Sequence, residues 1–446
     1  MNNFKVGMAK ADVTPELGCL LYGYAEERHA QRVMDRLEVG VVAIEQNGET
    51  VLLVSAEICA INREKCQEMR QVIAEAVGVK WENILYSAIH THSGPVTRTS
   101  VGWGIADMDY LDNVLVTATI KAAKEALEGM KPAMMGIGTT ESLVGINRRE
   151  FNSAGEVVLG QNPEGPYNPT MTVINFKAVT GENIGSIVHF AAHPTAADRN
   201  LSITRDWPGL MIDKLTEITG GPCMYINGAE GDVGPRLSNG KTTGGESYVT
   251  ETGLIAAADV ERAFHNIDTY EVPELKVTYG NVIIPYVAPP ALDEVERRIV
   301  AMGDPAKLAG PEGTDVTKYA QLLKVKAVYE SGEKFPTELV IPQTVVALGE
   351  LAMVPVCFEA FCNIALAISE GSPYRNTLLL GLTGGSYGYL PTEDQLAVGG
   401  YEVASFRVAG GSPVSFVDDA DKHMIRQNVE LLRKMHGDDF LGKERL

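Results

Sequence analysis

Cysteine is scarce in this chain of 446 residues: there are six, at 19, 59, 66, 223, 357 and 362, and no two form a C-x-x-C pair. That spacing excludes the common thiolate zinc and redox motifs, and it predicts reduced, buried thiols rather than a disulfide framework. Long hydrophobic runs are missing too. None approaches the ~20 residues of a membrane-spanning helix, so no membrane span is expected. The opening residues, MNNFKVGMAKADVTPELG, lack the apolar stretch of a secretory signal, and the expected location is cytoplasmic. Positive charge is in deficit, with 38 Lys and Arg against 58 Asp and Glu and a formal net charge of −20. Such a surface argues against nucleic acid and anionic lipid as partners and says little about substrate. Repeats and low-complexity segments are absent, and nothing in the composition sets an oligomeric state.

What is present is an alternation of strand and helix signals. Residues 40–58 are two β-rich runs around Asn47-Gly48, a hairpin signal. Helical spacing follows over 63–78, 108–130, 207–220, 248–267 and 418–435. Strands are predicted within 81–92, in AMMGIGTTES, TMTVINFKA and NIGSIVHFAAH, from 223, and over 337–356. Charged helices fill about 289–332. Interleaving of this kind predicts an α/β fold of layered mixed β-sheets flanked by helices.

Only eight histidines occur, and four fall at strand ends beside small residues: His90 and His92 in SAIHTHSGP, His189 and His193 in IVHFAAHPT. Residues i and i+2 of an extended chain share a face. His90 and His92 can therefore enter one site, as two metal ligands or as a ligand and a proton carrier. His189, inside an apolar strand, reads as a core histidine held by hydrogen bonds. His90 and His193 suit a zinc site, which takes nitrogen, oxygen or sulfur donors from rigid elements. Glu359, a lone acid in VPVCFEAF, is a third donor or a helix N-terminal glutamate beside the macrodipole. The glycine-rich segment 384–403 adds Tyr387, Tyr389 and Tyr401. Asp206 and Asp232 read equally as acids orienting a ligand and as helix caps; Arg98, Trp103 and Arg199 are candidates for shaping a substrate pocket, with surface placement the commoner alternative for each.

Taken in order, HTHSGP, INR (146–148), FAAHPT, NGAEGDVGP, FEAF and SYGYLPTEDQ…GGYEV resemble the neutral/alkaline non-lysosomal ceramidase family over about residues 4–408. The resemblance implies that family's catalytic fold over 1–446 as a single domain. It would carry a helical insertion at about 289–332 and lack the C-terminal β-sandwich. It also implies a Zn2+ ion held by His90, His193, Glu359 and Tyr389. The glutamate depends on register: counting back from Ser372-Pro373 selects Glu359, whereas counting forward from Pro355 selects Cys357, and we take Glu359. His92, Arg148 and Tyr401 match the family's catalytic histidine, arginine and carbonyl-polarising tyrosine. Gly234 stands where the family has a serine, so no serine nucleophile is available at that position.

These residues imply a zinc-dependent hydrolase that cleaves an amide (N-acyl) bond of a small polar substrate with a metal-activated water. An esterase or lactonase would use the same attack. An inactive zinc-containing binding protein is the reading from another class, and the retention of His92, Arg148 and Tyr401 argues against it.

Overall fold

Two sheets lie face to face between two layers of helices in the computed structural model, which describes residues 3–308, 314–408 and 411–437. The larger sheet has eight strands, in the order Cys223–Asn227, Asn183–Phe190, Thr170–Ala178, Lys131–Glu141, Lys5–Asp12, Glu38–Gln46, Glu49–Ala56 and Ile84–Ala88. The smaller has four: Leu275–Pro285, Glu338–Leu348, Leu351–Pro355 and Asn376–Leu380.

The period-2 alternation of a strand explains the layering. In Glu38–Gln46, Val39, Val41 and Ala43 face the helical layer, while Val42 and Ile44 face the smaller sheet. Both faces are covered, so the strand reads as a continuous apolar run. On the helical side, Cys66, Met69 and Ile73 of helix Arg63–Val77 and Ala122, Ala123 and Ala126 of helix Thr117–Glu128 cover one half of the large sheet. Helices Trp207–Thr219 and Glu246–His265 cover the other half. The outer face of the smaller sheet packs on helices Cys362–Gly371 and Ala420–His436 through Ile364, Ile368, Met424 and Leu432. This is the expected α/β architecture of layered mixed sheets.

The hairpin turns at Asn47-Gly48, where both residues have positive φ. The long helix expected at 108–130 begins as a π-helical segment, Tyr110–Val116. The charged helices expected at about 289–332 are Leu292–Met302 and Thr314–Ser331, set between strands Leu275–Pro285 and Glu338–Leu348; residues 309–313 lie outside the described residues. All six cysteines are free thiols, and Cys357 and Cys362 are not bonded to each other. Among the described residues, no helix is long and apolar enough to cross a membrane.

Three parallel strand pairs position the site: Glu49–Ala56 with Ile84–Ala88, Asn183–Phe190 with Cys223–Asn227, and Leu351–Pro355 with Asn376–Leu380. The chain leaves their carboxyl ends in loops that converge, as ligand-binding loops of α/β sheets do. Those loops carry His90, His193, Glu359 and Tyr389.

Candidate metal centre

His90 follows the first of these strands by two residues, at a φ of 74°. A non-glycine residue in this left-handed region is held there by its surroundings. Its backbone N–H donates to the Ile58 carbonyl at 3.0 Å, and Nδ1 donates to the Cys59 carbonyl at 3.0 Å. A carbonyl only accepts, so Nδ1 carries a hydrogen, and in the neutral ring Nε2 keeps its lone pair. His193 is built the same way. Its Nδ1 donates to the carbonyls of Glu230 and Val233 at 2.8 and 3.1 Å, and its Nε2 has no hydrogen-bond partner.

Both Nε2 atoms point at one oxygen. Glu359 Oε2 lies 3.3 Å from His90 Nε2 and 3.4 Å from His193 Nε2, and it too lacks a hydrogen-bond partner. All three side chains are buried. Burial opposes ionisation of Glu359, yet His90 and His193 hold it well below the usual carboxylate range. Burial likewise opposes a charge on His90, but Cys59 and Glu359 outweigh it and raise that imidazole well above its ordinary value. His193 is pushed down to about 3 by burial and by the Arg148 guanidinium. Two imidazole nitrogens and a carboxylate converging in a buried site call for a cation between them.

Glu359 and Tyr389 come together through a two-residue parallel pairing, Glu359–Ala360 with Tyr389–Leu390, in which position 359 lies directly opposite 389. The Tyr389 ring stacks on His193, and its hydroxyl accepts from Arg148 Nη2 at 2.9 Å. Cys357, the alternative register, faces elsewhere. It belongs to the apolar core under the smaller sheet, and burial raises its thiol to about 12. The group Cys59, His90 and His92 is also compact. It would draw on His90 Nδ1, which is already committed to the Cys59 carbonyl.

His92 reaches the site by a different route from the one its spacing predicts. The pleat of a strand would set the two rings of H-x-H about 6–7 Å apart along one face. Instead the left-handed turn at His90 brings the Nε2 atoms to 3.2 Å. Burial, with His90 and His193 next, presses the His92 pKa well below the ordinary imidazole value. Its carbonyl accepts from Arg28 Nη2 at 2.9 Å, and its ring meets Tyr24 edge-on. Gly23, at a φ of 110°, passes so close that a Cβ there would sit 2.4 Å from the His92 ring.

A cavity of about 360 Å³ opens on this centre, with His90, His92, Glu359, Tyr389 and Tyr401 in its wall. Arg148 is not in the wall. It is buried behind Tyr389, and its Nε donates to Glu402 at 3.0 Å. The other Glu402 oxygen accepts from Arg149 Nη1 at 2.7 Å. Sequence reasoning missed Glu402; the signal available was its place directly after Tyr401, with two adjacent arginines at 148–149 in need of an acid. It missed the strand Gly145–Phe151 as well, which carries both arginines and pairs with Val157–Asn162 and Val233–Pro235.

Asp232 ties these parts together: Oδ1 accepts from the Cys362 N–H at 2.7 Å, Oδ2 from Asn147 Nδ2 at 3.1 Å, and its carbonyl from the Arg148 N–H at 2.8 Å. Asp206 caps helix Trp207–Thr219 and accepts from the N–H groups of Ala196 and Ala197, fixing the loop after His193. A Cβ at Gly234 would meet the Thr242 side chain at 2.6 Å, so that position faces Thr242. His189 is a core histidine whose Nε2 meets the Leu379 carbonyl at 2.8 Å. Arg98 and Trp103 line the cavity, whereas Arg199 sits over Tyr24.

Residues 4–216 match the family described as neutral/alkaline non-lysosomal ceramidase, N-terminal. The N-terminal half of the chain is similar to that family. Neutral ceramidase B of Dictyostelium discoideum is 28% identical over 223 residues, 44% of this chain and 30% of that one. Neutral ceramidase of Oryza sativa subsp. japonica is 26% identical over 219 residues, 45% of this chain and 27% of that one. The aligned region thus spans less than a third of either curated relative. The crystal structure of neutral ceramidase from Pseudomonas aeruginosa superposes with a TM-score of 0.74 at 18% identity, covering 98% of this chain and 75% of that one. A ceramidase complexed with C2 gives 0.73 at 18%, covering 100% and 77%. The ceramidase fold therefore extends well beyond the matched N-terminal region.

Proposed function

We propose that the chain is a metal-dependent hydrolase that cleaves the amide bond of a small substrate, with zinc as the metal. One observation carries the reading: His90 Nε2 and His193 Nε2 lie 3.3 and 3.4 Å from the same oxygen, Glu359 Oε2, with both Nδ1 atoms anchored on carbonyls. Nitrogen and carboxylate donors on rigid loops are what zinc takes, and orphaned Nε2 and Oε2 atoms in a buried site are what it would satisfy. His90, His193, Glu359 and Tyr389 would hold the ion. When bound, zinc acidifies a water and polarises a carbonyl.

The chain's own residues supply the rest. His92, in the cavity wall with its Nε2 3.2 Å from His90 Nε2, carries a proton from the attacking water to the departing amine. The Tyr401 hydroxyl, in the cavity wall, donates to the substrate carbonyl oxygen. Arg148 acts through Tyr389, whose hydroxyl it holds. Protein purified without chelator should contain about one zinc per chain by elemental analysis, and stripping it should abolish turnover of N-acyl substrates until zinc is returned. Protein that neither contains nor takes up a transition metal would rule this reading out.

A further inference from the structure

The cavity wall away from the metal centre carries positive charge that no ion pair among the described residues neutralises. Arg98 is half-buried in that wall; its Nε is fully buried with no hydrogen-bond partner. Among the described residues, its guanidinium has no ion-pair partner either. Tyr22 and Glu359 line the same cavity as Arg98. A second cation comes from the insertion. In helix Thr314–Ser331, residues Thr317, Ala320, Gln321 and Lys324 line the cavity. Their spacing of three, one and three places them on one helical face. The Lys324 ammonium donates to the Gly411 carbonyl at 2.8 Å and, among the described residues, to no carboxylate.

Two cations without acids are out of character in a chain where acids outnumber bases 58 to 38. Of the carboxylates in this wall, Glu359 is committed to His90 and His193, and Glu64 is exposed. A guanidinium with an unsatisfied buried N–H presents a fork that matches a carboxylate. We infer that Arg98, assisted by Lys324, selects substrates bearing an anionic group near the scissile amide, of which an N-acyl amino acid is the simplest class. This rests on the hydrolase reading for the reaction, but the charge preference concerns binding and can be measured without turnover.

The test uses zinc-loaded full-length protein and two probes, N-hexanoylglycine and the uncharged N-hexanoylglycinamide, titrated calorimetrically and assayed for amine release. The wild type should bind the carboxylate roughly ten- to a hundredfold more tightly than the amide, the range for a charge-assisted hydrogen bond. Arg98→Gln should abolish that preference and leave affinity for the amide unchanged. Arg98→Lys should keep part of it, and Lys324→Met should reduce it. Zinc content and circular dichroism check that each variant is folded. Equal affinity for the two probes in the wild type, or binding of neither, overturns the inference. So does a preference that survives in Arg98→Gln, which would assign the carboxylate to the metal centre. Retained preference with no turnover of either probe would uphold the anion site and refute the amidase reading.

Discussion

Glu359 and Cys357 are two residues apart, yet their side chains end in different surroundings: one between two imidazoles, the other in the core under the smaller sheet. Sequence register alone left both open, because a ligand is defined by where the loop turns and not by its distance from a proline. The His90 ring raises the same issue. H-x-H spacing announced that the two rings meet, but by pleat geometry, whereas a positive φ at His90 does the work. These contacts give separable outcomes. Glu359→Ala and His90→Ala should purify with little zinc, while Cys357→Ala should hold a full complement. His92→Ala should keep near-normal zinc and lose turnover by about 10²–10³, the range for one proton carrier or oxyanion donor. Metal analysis beside kinetics decides it: zinc lost as completely from His92→Ala as from His90→Ala would make both histidines ligands.

Elements with strong periodicity were legible from the chain, and those that assemble the site were not. The Asn47-Gly48 hairpin and the helices from 63, 207 and 248 follow from turn chemistry and apolar spacing. The two-residue pairing of 359–360 with 389–390 has no periodicity to read, and neither does strand Gly145–Phe151, whose buried arginines break the apolar pattern of a core strand. Their partner lies in the short helix Tyr401–Phe406, more than 250 residues away. Glu402 is fully buried between two guanidinium groups, so its removal leaves two buried positive charges without a counter-ion. Glu402→Ala should cost about 3–5 kcal/mol of stability, as breaking a buried ion pair does. It should also free Arg148 and with it the Tyr389 hydroxyl, so chemical denaturation should show a lower midpoint and kinetics a lower kcat. An unchanged midpoint would mean that water reaches these arginines once the glutamate is gone.

The whole molecule carries a formal net charge of −20, but folding withdraws some of its acids from solvent and changes what that charge does to stability. Glu57 and Asp206 are buried, and burial is the largest influence on each, raising them to about 8 and about 6 from ordinary carboxylate values of 4.5 and 3.8. The native chain therefore holds protons that the unfolded chain releases. Below the unfolded pKa both states are protonated and pH has no effect through these groups. As pH rises from about 4 towards 8 the unfolded state ionises first, so stability falls, by about 1 kcal/mol per pH unit for each group inside its own window. Above about 8 both states are ionised and the slope from Glu57 vanishes. This is opposite in sign to carboxylates held in ion pairs, which lose stability on acidification. The counterpart is small, because among the described residues the Glu57 carboxylate accepts only from the Glu38 N–H, at 2.6 Å, with Lys10 and Arg205 acting through charge. Glu57→Gln retains an acceptor for that N–H and removes the titration. Melting temperatures measured across pH 5–8 should decline in the wild type and decline less in Glu57→Gln. Parallel curves would show that Glu57 ionises in the folded chain as it does in the unfolded one.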